Sequence, residues 1–415
     1  MKKLLLLLVL MPILLVAQNY NLEQLVNYGL EHSWEMQRSN LEFESSSSSY
    51  RSSKWNLLPE LRIFAGADQD FTDNAAPASD LSSSAGFSIS KSISLNDPAY
   101  FAYRFAKMDL KTAELNLEQS RRSYAFDVFK AYLEVLSAQK RLGSLTENLS
   151  IQTRVLEQSR VLLQLGKNTS FDVKQSEIAV MNSQIQIMQL ENTIESARRN
   201  LFNLVQMPDE GLPLADVEYV ALQEVPALDT DVINSLQVLD QGIGRSKLSL
   251  KQARLDYLPS MSLSYDFRRT VGGQDFDFDT YNTNHGLSLS LSYPLLSPFK
   301  QREVVSRSRL NHQMAELNRN STLTQINTQY DQLSRQLSYL QRLDQLYLEK
   351  LQQSRDQIRI AEERYRLGLI ELLELDKTRT EYIDADIAYN ANQYQLIQTR
   401  EELNLLLSRQ IMGTW

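Results

Sequence analysis

The stretch from Leu58 to Pro98 occurs twice. Set against residues 258 to 298 at an offset of 200, it matches at Leu58/Leu258, Pro59/Pro259, Gly86/Gly286, Ser88/Ser288, Ser90/Ser290, Ser92/Ser292 and Pro98/Pro298, without a gap. Each copy follows one pattern: a helix stopped by Leu-Pro, a strand, a polar loop, a second strand, and a new helix opened by proline. The strands alternate. Ala85, Phe87 and Ile89 are interleaved with Gly86, Ser88 and Ser90; Leu287, Leu289, Leu291 and Tyr293 with Ser288, Ser290 and Ser292. In the first strands Leu61, Ile63 and Ala65 alternate with Arg62, Phe64 and Gly66, and Met261, Leu263, Tyr265 and Phe267 with Ser262, Ser264, Asp266 and Arg268. A period of two means a sheet with one apolar face and one hydroxyl-lined face.

About ten residues at roughly 3.3 Å each, tilted by about 40°, span roughly 25 Å, the height of an outer-membrane hydrocarbon band. A soluble sandwich with the apolar face in its core would give the same alternation, so the strands alone do not decide. The helices do. From Pro98 no proline recurs until Pro208, and from Pro298 none recurs at all. Leu110, Ala113, Leu117, Ser120, Tyr124, Val128, Ala131, Val135, Ala138 and Leu142 step by three or four, and Phe126, Phe129, Leu133 and Leu136 form a second seam. Two seams let one helix pack against neighbours on both sides, as in a wall of coiled coils. Both long helices stop at Leu-Gly, at Leu165-Gly166 and Leu367-Gly368, where glycine can take the left-handed conformation that ends a helix. Helices over 98–165 and 298–367 would each run roughly 100 Å at about 1.5 Å per residue, deeper than any compact core.

The expected order follows. Repeat 1 covers 18–206: an N-terminal helix over 21–57, strands near 60–71 and 84–95, the long helix 98–165, and a return helix 168–206. A linker at 207–230, with Pro208, Gly211, Pro213 and Pro226, reads as a belt around the middle of the wall. Repeat 2 covers 231–415: a helix over 231–258, strands near 260–269 and 285–293, the long helix 298–367, and a return helix 369–408. The serine run 45–49 suggests a solvated helix face or a short break, and Gly143 a local break in the long helix.

Residues 1–17 have the form of a secretory signal: Lys2 and Lys3, an apolar run from Leu4 to Val16, and a cut after Ala17. No later stretch is apolar for long enough to cross a bilayer as a helix, so membrane entry requires a closed barrel. Four strands cannot close one, and their unpaired edges require several chains to share it. The chain has no cysteine, hence no disulfide and no lipid on an N-terminal cysteine. Its net charge is −8 and no basic block with interleaved aromatics occurs, which argues against nucleic acid as a partner. His32, His285 and His312 are scattered, and neither a phosphate loop nor a nucleophilic triad stands out, so no catalytic residue, metal or cofactor is expected.

With its duplicated hairpins, Leu-Pro and Pro corners and two Leu-Gly turns, nearly the whole mature chain resembles the TolC-like outer-membrane efflux proteins. The resemblance implies a mainly helical fold with a β-barrel part: a homotrimer closing a 12-stranded transmembrane barrel, four strands per chain, continued into the periplasm by a long coiled-coil tunnel. It implies an exit duct of a tripartite efflux or type I secretion system, docking a periplasmic adaptor and an inner-membrane pump and contacting outer-membrane lipid. The loops 72–83 and 271–284 would face outside. At the far turns, LGKNTSFDV and LGLIELLEL each carry an acid six residues past the glycine, Asp172 and Glu374. In a trimer these carboxylates would ring a narrowing mouth that attracts cations; an acid in a helix's first turn also simply favours the helix dipole. By resemblance, Tyr365, Asp172 and Glu374 match a gate of polar links. Ile370 stands where that gate has an arginine, and Lys377 where it has a second acid, leaving Arg364 and Arg366, which flank Tyr365, to supply a cation. The expected gate is Tyr365 and Arg366 holding Asp172. The tips Gly166, Lys167, Asn168, Gly368, Leu369 and Ile370 would meet the adaptor, with Leu369 and Ile370 exposed for a helix-in-groove contact. A non-conducting periplasmic coiled-coil protein is the alternative, distinguished by lacking a barrel.

Overall fold

The structure, a computed structural model, describes residues 19–69, 81–217, 225–272, 281–293 and 297–412. The signal segment 1–17 and most of the loops at 72–83 and 271–284 lie outside them. Among the described residues there are seven helices and four strands: α1 (Leu22–His32), α2 (Trp34–Trp55), β1 (Glu60–Gln69), β2 (Leu81–Ser92), α3 (Pro98–Gln164), α4 (Ser170–Val205), α5 (Asn234–Leu255), β3 (Ser260–Gly272), β4 (Asn282–Ser292), α6 (Ser297–Arg366) and α7 (Leu372–Leu406). Two compact units form. One comprises Met1–Gln37, Ser120–Asp229 and Ile326–Trp415; the other comprises Arg38–Gln119 and Thr230–Gln325.

The second unit carries the sheet, in order β1-β2-β3-β4 with every pair antiparallel. Its register aligns Leu61, Ile89, Tyr265 and Leu287 in one row, and Ile63, Phe87 and Phe267 in the next, so the apolar side chains share a face. The intervening rows, Arg62/Ser88/Asp266/Gly286 and Ser90/Ser264/Ser288, line the other. Among the described residues nothing covers the apolar face: Ile63 is 81% and Leu287 71% exposed. A sandwich would bury those side chains. The strands run further than their apolar alternation indicates, β2 starting at Leu81, β3 reaching Gly272 and β4 starting at Asn282. Pairing is a backbone property, so Ser82–Ser84 and Asn282–Asn284 extend the ladder without apolar side chains. At the other end β2 stops at Ser92 rather than 95, because the chain turns there, with Asp97 N–H donating to Ser94 O.

The duplication extends to single hydrogen bonds. At the α2–β1 corner the amides of Asn56, Leu57 and Leu58 donate to Ser52, Lys54 and Trp55; at the α5–β3 corner those of Asp256, Tyr257 and Leu258 donate to Gln252, Arg254 and Leu255. Both helix ends tighten before the proline that would interrupt them. On the far side of the first hairpin, Asp97 accepts from Ala99 N–H at 3.0 Å and caps α3 with Pro98 in its first turn.

The first unit is helical. The expected single helix 21–57 is split at Ser33, whose backbone is extended and whose Oγ accepts from Met36 N–H at 3.4 Å as a new cap. The serine run 45–49, in the part of α2 that belongs to the second unit, stays helical, Ser46 donating to Glu42 O, and in the first unit α3 passes through Gly143 without interruption. Propensity costs of this size are outweighed by a long cooperative helix. The linker after α4 begins at Gln206, in the left-handed region at φ 61. It is pinned to the start of the chain: Tyr20 and Leu214 form a parallel bridge, and buried Tyr132 donates to the carbonyls of Tyr20 and Ala215 at 3.0 and 2.5 Å. Arg198 also pairs with Asp209. Burial pushes the Tyr132 hydroxyl pKa up, so it remains a donor throughout the physiological range.

Candidate functional site

Both hairpin turns at the far end of the helices are built alike. Gly166 and Gly368 take φ of +73° and +71°. In the first turn Lys167 N–H reaches back to Leu162 O and Gly166 N–H to Leu163 O; in the second Leu369 N–H reaches Arg364 O and Gly368 N–H Tyr365 O. This double closure satisfies the last carbonyls and needs a left-handed residue at the turn. Both turns lie in the first unit and adjoin. Lys167, Asn168, Asp172, Tyr365, Gly368, Leu369 and Ile370 line one cleft of about 750 Å³ between them, together with Phe171 and Leu373. Gly166, Arg366 and Glu374 are not part of its lining.

Tyr365 joins the two hairpins. It is 2% exposed, packed among Leu162, Ile358, Ala361, Leu372 and Leu375. Its hydroxyl hydrogen-bonds Ser159 Oγ of α3 at 2.6 Å and accepts from Asn168 Nδ2 of the α3–α4 turn at 3.0 Å. Ser159 lies 3.3 Å from Ser176 Oγ of α4, which in turn donates to Asp172 O at 3.0 Å. Every side chain in this network is uncharged. Ser159 and Ser176 were missed by sequence reasoning, since a serine on a helix gives no signal until its partner is placed.

The expected charged links are arranged differently within the chain. Asp172 completes the capping box of α4, its carboxylate accepting from Thr169 N–H at 2.8 Å and Thr169 Oγ1 at 2.7 Å. Those bonds, the backbone one foremost, hold its pKa below the usual carboxylate value. Arg366 donates to Glu363 one turn back on its own helix, at 3.0 and 2.6 Å. Tyr365 therefore meets Ser159 and Asn168 rather than Asp172. Glu374 sits in the first turn of α7. At the tips Leu369 is 69% exposed, whereas Ile370, expected to be exposed beside it, packs against the apolar cluster below. Phe171 and Leu373 supply the exposed apolar surface in its place.

Further along the same helices a second polar tier links α3 to α7. Tyr382 donates to Glu147 at 3.0 Å and Ser144 donates to Asp386, while within α7 itself Arg379 pairs with Asp376 at 3.1 Å, both largely buried. Burial lowers the Arg379 pKa and raises that of Asp376, each opposed by the partner's charge. Among the described residues no group of His, Asp or Glu side chains is placed to hold a metal ion, and no helix is long and apolar enough to cross a membrane.

A four-stranded sheet with a bare apolar face and two open edges, fed by paired helical hairpins, defines the class of multi-chain barrels that continue into a helical tunnel. The family follows from comparison with known proteins. The chain belongs to the outer membrane efflux proteins, whose family model matches residues 25–205 and 234–409. A relative in Pseudomonas putida, the pyoverdine export outer membrane protein OpmQ, is 24% identical over 78% of this chain and 67% of its own. The outer membrane protein TolC of Vibrio cholerae is 23% identical over 62% of each. The Neisseria gonorrhoeae MtrE outer membrane channel shares the fold, with a TM-score of 0.82 at 17% identity over 94% of this chain and 89% of that one. Channels of this family are homotrimers that act with adaptor proteins and inner-membrane pumps, without enzymatic activity. The protein accordingly lies in the outer membrane, with its helical part in the periplasm.

Proposed function

We propose that the protein is a passive exit duct: a trimer carrying substrates handed over by an adaptor and an inner-membrane pump from the periplasm to the exterior. The observation that carries this reading is the two-faced sheet. Its bare apolar side suits lipid, its hydroxyl rows suit a wet lumen, and its open edges β1 and β4 suit closure by neighbouring copies. The gate lies at the hairpin turns. Tyr365 ties α6 to α3 and to the α3–α4 turn, and this neutral knot must loosen for the second hairpin to swing away from the first. Asp172 and Glu374 of each chain set the charge of the mouth. Arg366, exposed and bonded to Glu363 across one turn, holds a weak partner that it can exchange for Asp172 of an adjoining subunit.

The adaptor docks at the cleft between the turns. Lys167, Asn168, Gly368, Leu369 and Ile370 form its rim and floor, beside Gly166 in the first turn, with Phe171 and Leu373 as apolar anchors. Reconstitution tests the duct: purified protein added to a planar lipid bilayer should give discrete conductance steps. Protein that inserts as a trimer yet passes no current in the wild type or in any gate variant contradicts the reading. Crosslinking from Leu369→Cys should capture an adaptor carrying a helical hairpin, and crosslinks falling only along the strands would displace the docking site.

A further inference from the structure

The lipid-facing side of the barrel is apolar for most of its height, but it carries an arginine. Arg269 follows Tyr265 and Phe267 on the same face of β3, in register with Ala85 and Thr283. It lies eight residues beyond Met261, roughly 20 Å along the barrel axis for a strand tilted by about 40°. The helices leave from the opposite end of the strands, so this end is the outer rim of the band. A cation on the lipid face is costly at mid-membrane and nearly neutral at the headgroup level, which places Arg269 among headgroups.

Its surroundings are aromatic. The guanidinium lies 4.2 Å from the centroid of the Tyr281 ring and 6.0 Å from that of Phe267, which itself stacks on Phe87 at 5.3 Å. A guanidinium held over a ring still presents N–H donors at its edge, in the fork that fits a phosphate. His285, in register with Phe267 on the same face, adds a second nitrogen donor diagonally below. The inner rim is different. There the lipid-facing cation is Lys91, and it is paired with Asp97 at 3.5 Å. The adjacent Arg268 points the opposite way, over Phe64 at 5.2 Å on the hydroxyl-lined face.

We propose that Arg269, shelved on Tyr281 and assisted by His285, binds the phosphate of a lipid headgroup in the outer leaflet. The proposal rests on the barrel assignment above. It is tested on the purified trimer in detergent, titrated with diphosphoryl lipid A, with the same lipid after enzymatic dephosphorylation, and with inorganic phosphate, the bound fraction being read by native mass spectrometry. Wild type should bind the phosphorylated lipid about tenfold more tightly than the dephosphorylated one, the factor given by one charge-assisted hydrogen bond. Arg269→Gln should erase that preference, Arg269→Lys should reduce it, and Arg268→Gln should leave it intact. Equal binding of both lipids by wild type, an Arg268→Gln loss matching that of Arg269→Gln, or full competition by millimolar inorganic phosphate would each overturn the proposal. The wild-type comparison decides even if Arg269→Gln fails to assemble. Wild-type conductance in a bilayer separates this failure from a failure of the barrel assignment.

Discussion

Tyr365→Phe removes one hydroxyl and keeps the buried ring, so it isolates the knot between the hairpins. The hydroxyl makes two bonds, to Ser159 at 2.6 Å and from Asn168 at 3.0 Å, on a side chain that is 2% exposed. Each such bond contributes about 0.5–1.5 kcal/mol net, so the loss is about 1–3 kcal/mol per chain. Ser159 retains Ser176, which places the effect toward the lower end of that range. If opening breaks these bonds in the wild type, the variant shifts the closed-to-open balance by about the same amount, roughly five- to tenfold or more for each subunit that opens independently. In single-channel records at low voltage, Tyr365→Phe should therefore show longer dwell in high-conductance states. Adding Asp172→Ala to Tyr365→Phe tests whether Asp172 contributes across subunits, by raising conductance beyond the single variant. Conductance and dwell times unchanged in both variants, with the trimer's thermal stability lowered, would show that the tyrosine only packs the hairpins and gates nothing.

Three further outcomes follow from the geometry. A Cβ at Gly29 would lie 2.1 Å from Tyr124 Oη, so Gly29→Ala should destabilise the helical unit by about 1–3 kcal/mol in chemical denaturation, with partial recovery in the double variant with Tyr124→Phe. At Gly86 a Cβ would meet Phe267 O at 2.1 Å and the Phe64 ring at 2.9 Å, so Gly86→Val should reduce heat-modifiable trimer in detergent, whereas Gly66→Val, with open space around it, should not. The Thr169 N–H and hydroxyl hold the Asp172 pKa below the ordinary carboxylate value, so its stabilisation is complete above that ordinary value and fades as pH falls through the depressed native one. The stability gap between wild type and Asp172→Asn should be largest near neutrality and close on acidification; a gap that widens in acid would contradict the capping role.

The sequence carried the architecture because its strongest signals were periodic. Serine-apolar alternation at an offset of 200 located both hairpins, and Leu-Gly located both turns, since each encodes a backbone requirement that few residues satisfy. Less was legible in the proposed gate. Asp172 was visible as an acid after a turn, but its bond to Thr169 is local, and local capping competes directly with any link to another chain. Ser159, Asn168 and Ser176 are close together in sequence but lie about 200 residues from Tyr365, and no spacing rule connects them to it. Ile370 reads in sequence as an exposed tip beside Leu369, yet in the turn Leu369 is exposed and Ile370 packs against the apolar cluster. The break at Ser33 was hidden for a similar reason: the apolar stripe continues on both sides of it.

The chain has no native cysteine, so single cysteines along β3 report its faces directly. Ser262→Cys, Leu263→Cys, Ser264→Cys and Tyr265→Cys, each reconstituted in a planar bilayer, would be treated with a charged, water-soluble thiol reagent while current is recorded. A lumen lined by the hydroxyl face predicts that current falls at 262 and 264 and is unaffected at 263 and 265. Block at all four positions, at none, or at the odd positions would contradict a barrel shared by several chains with its apolar face in lipid.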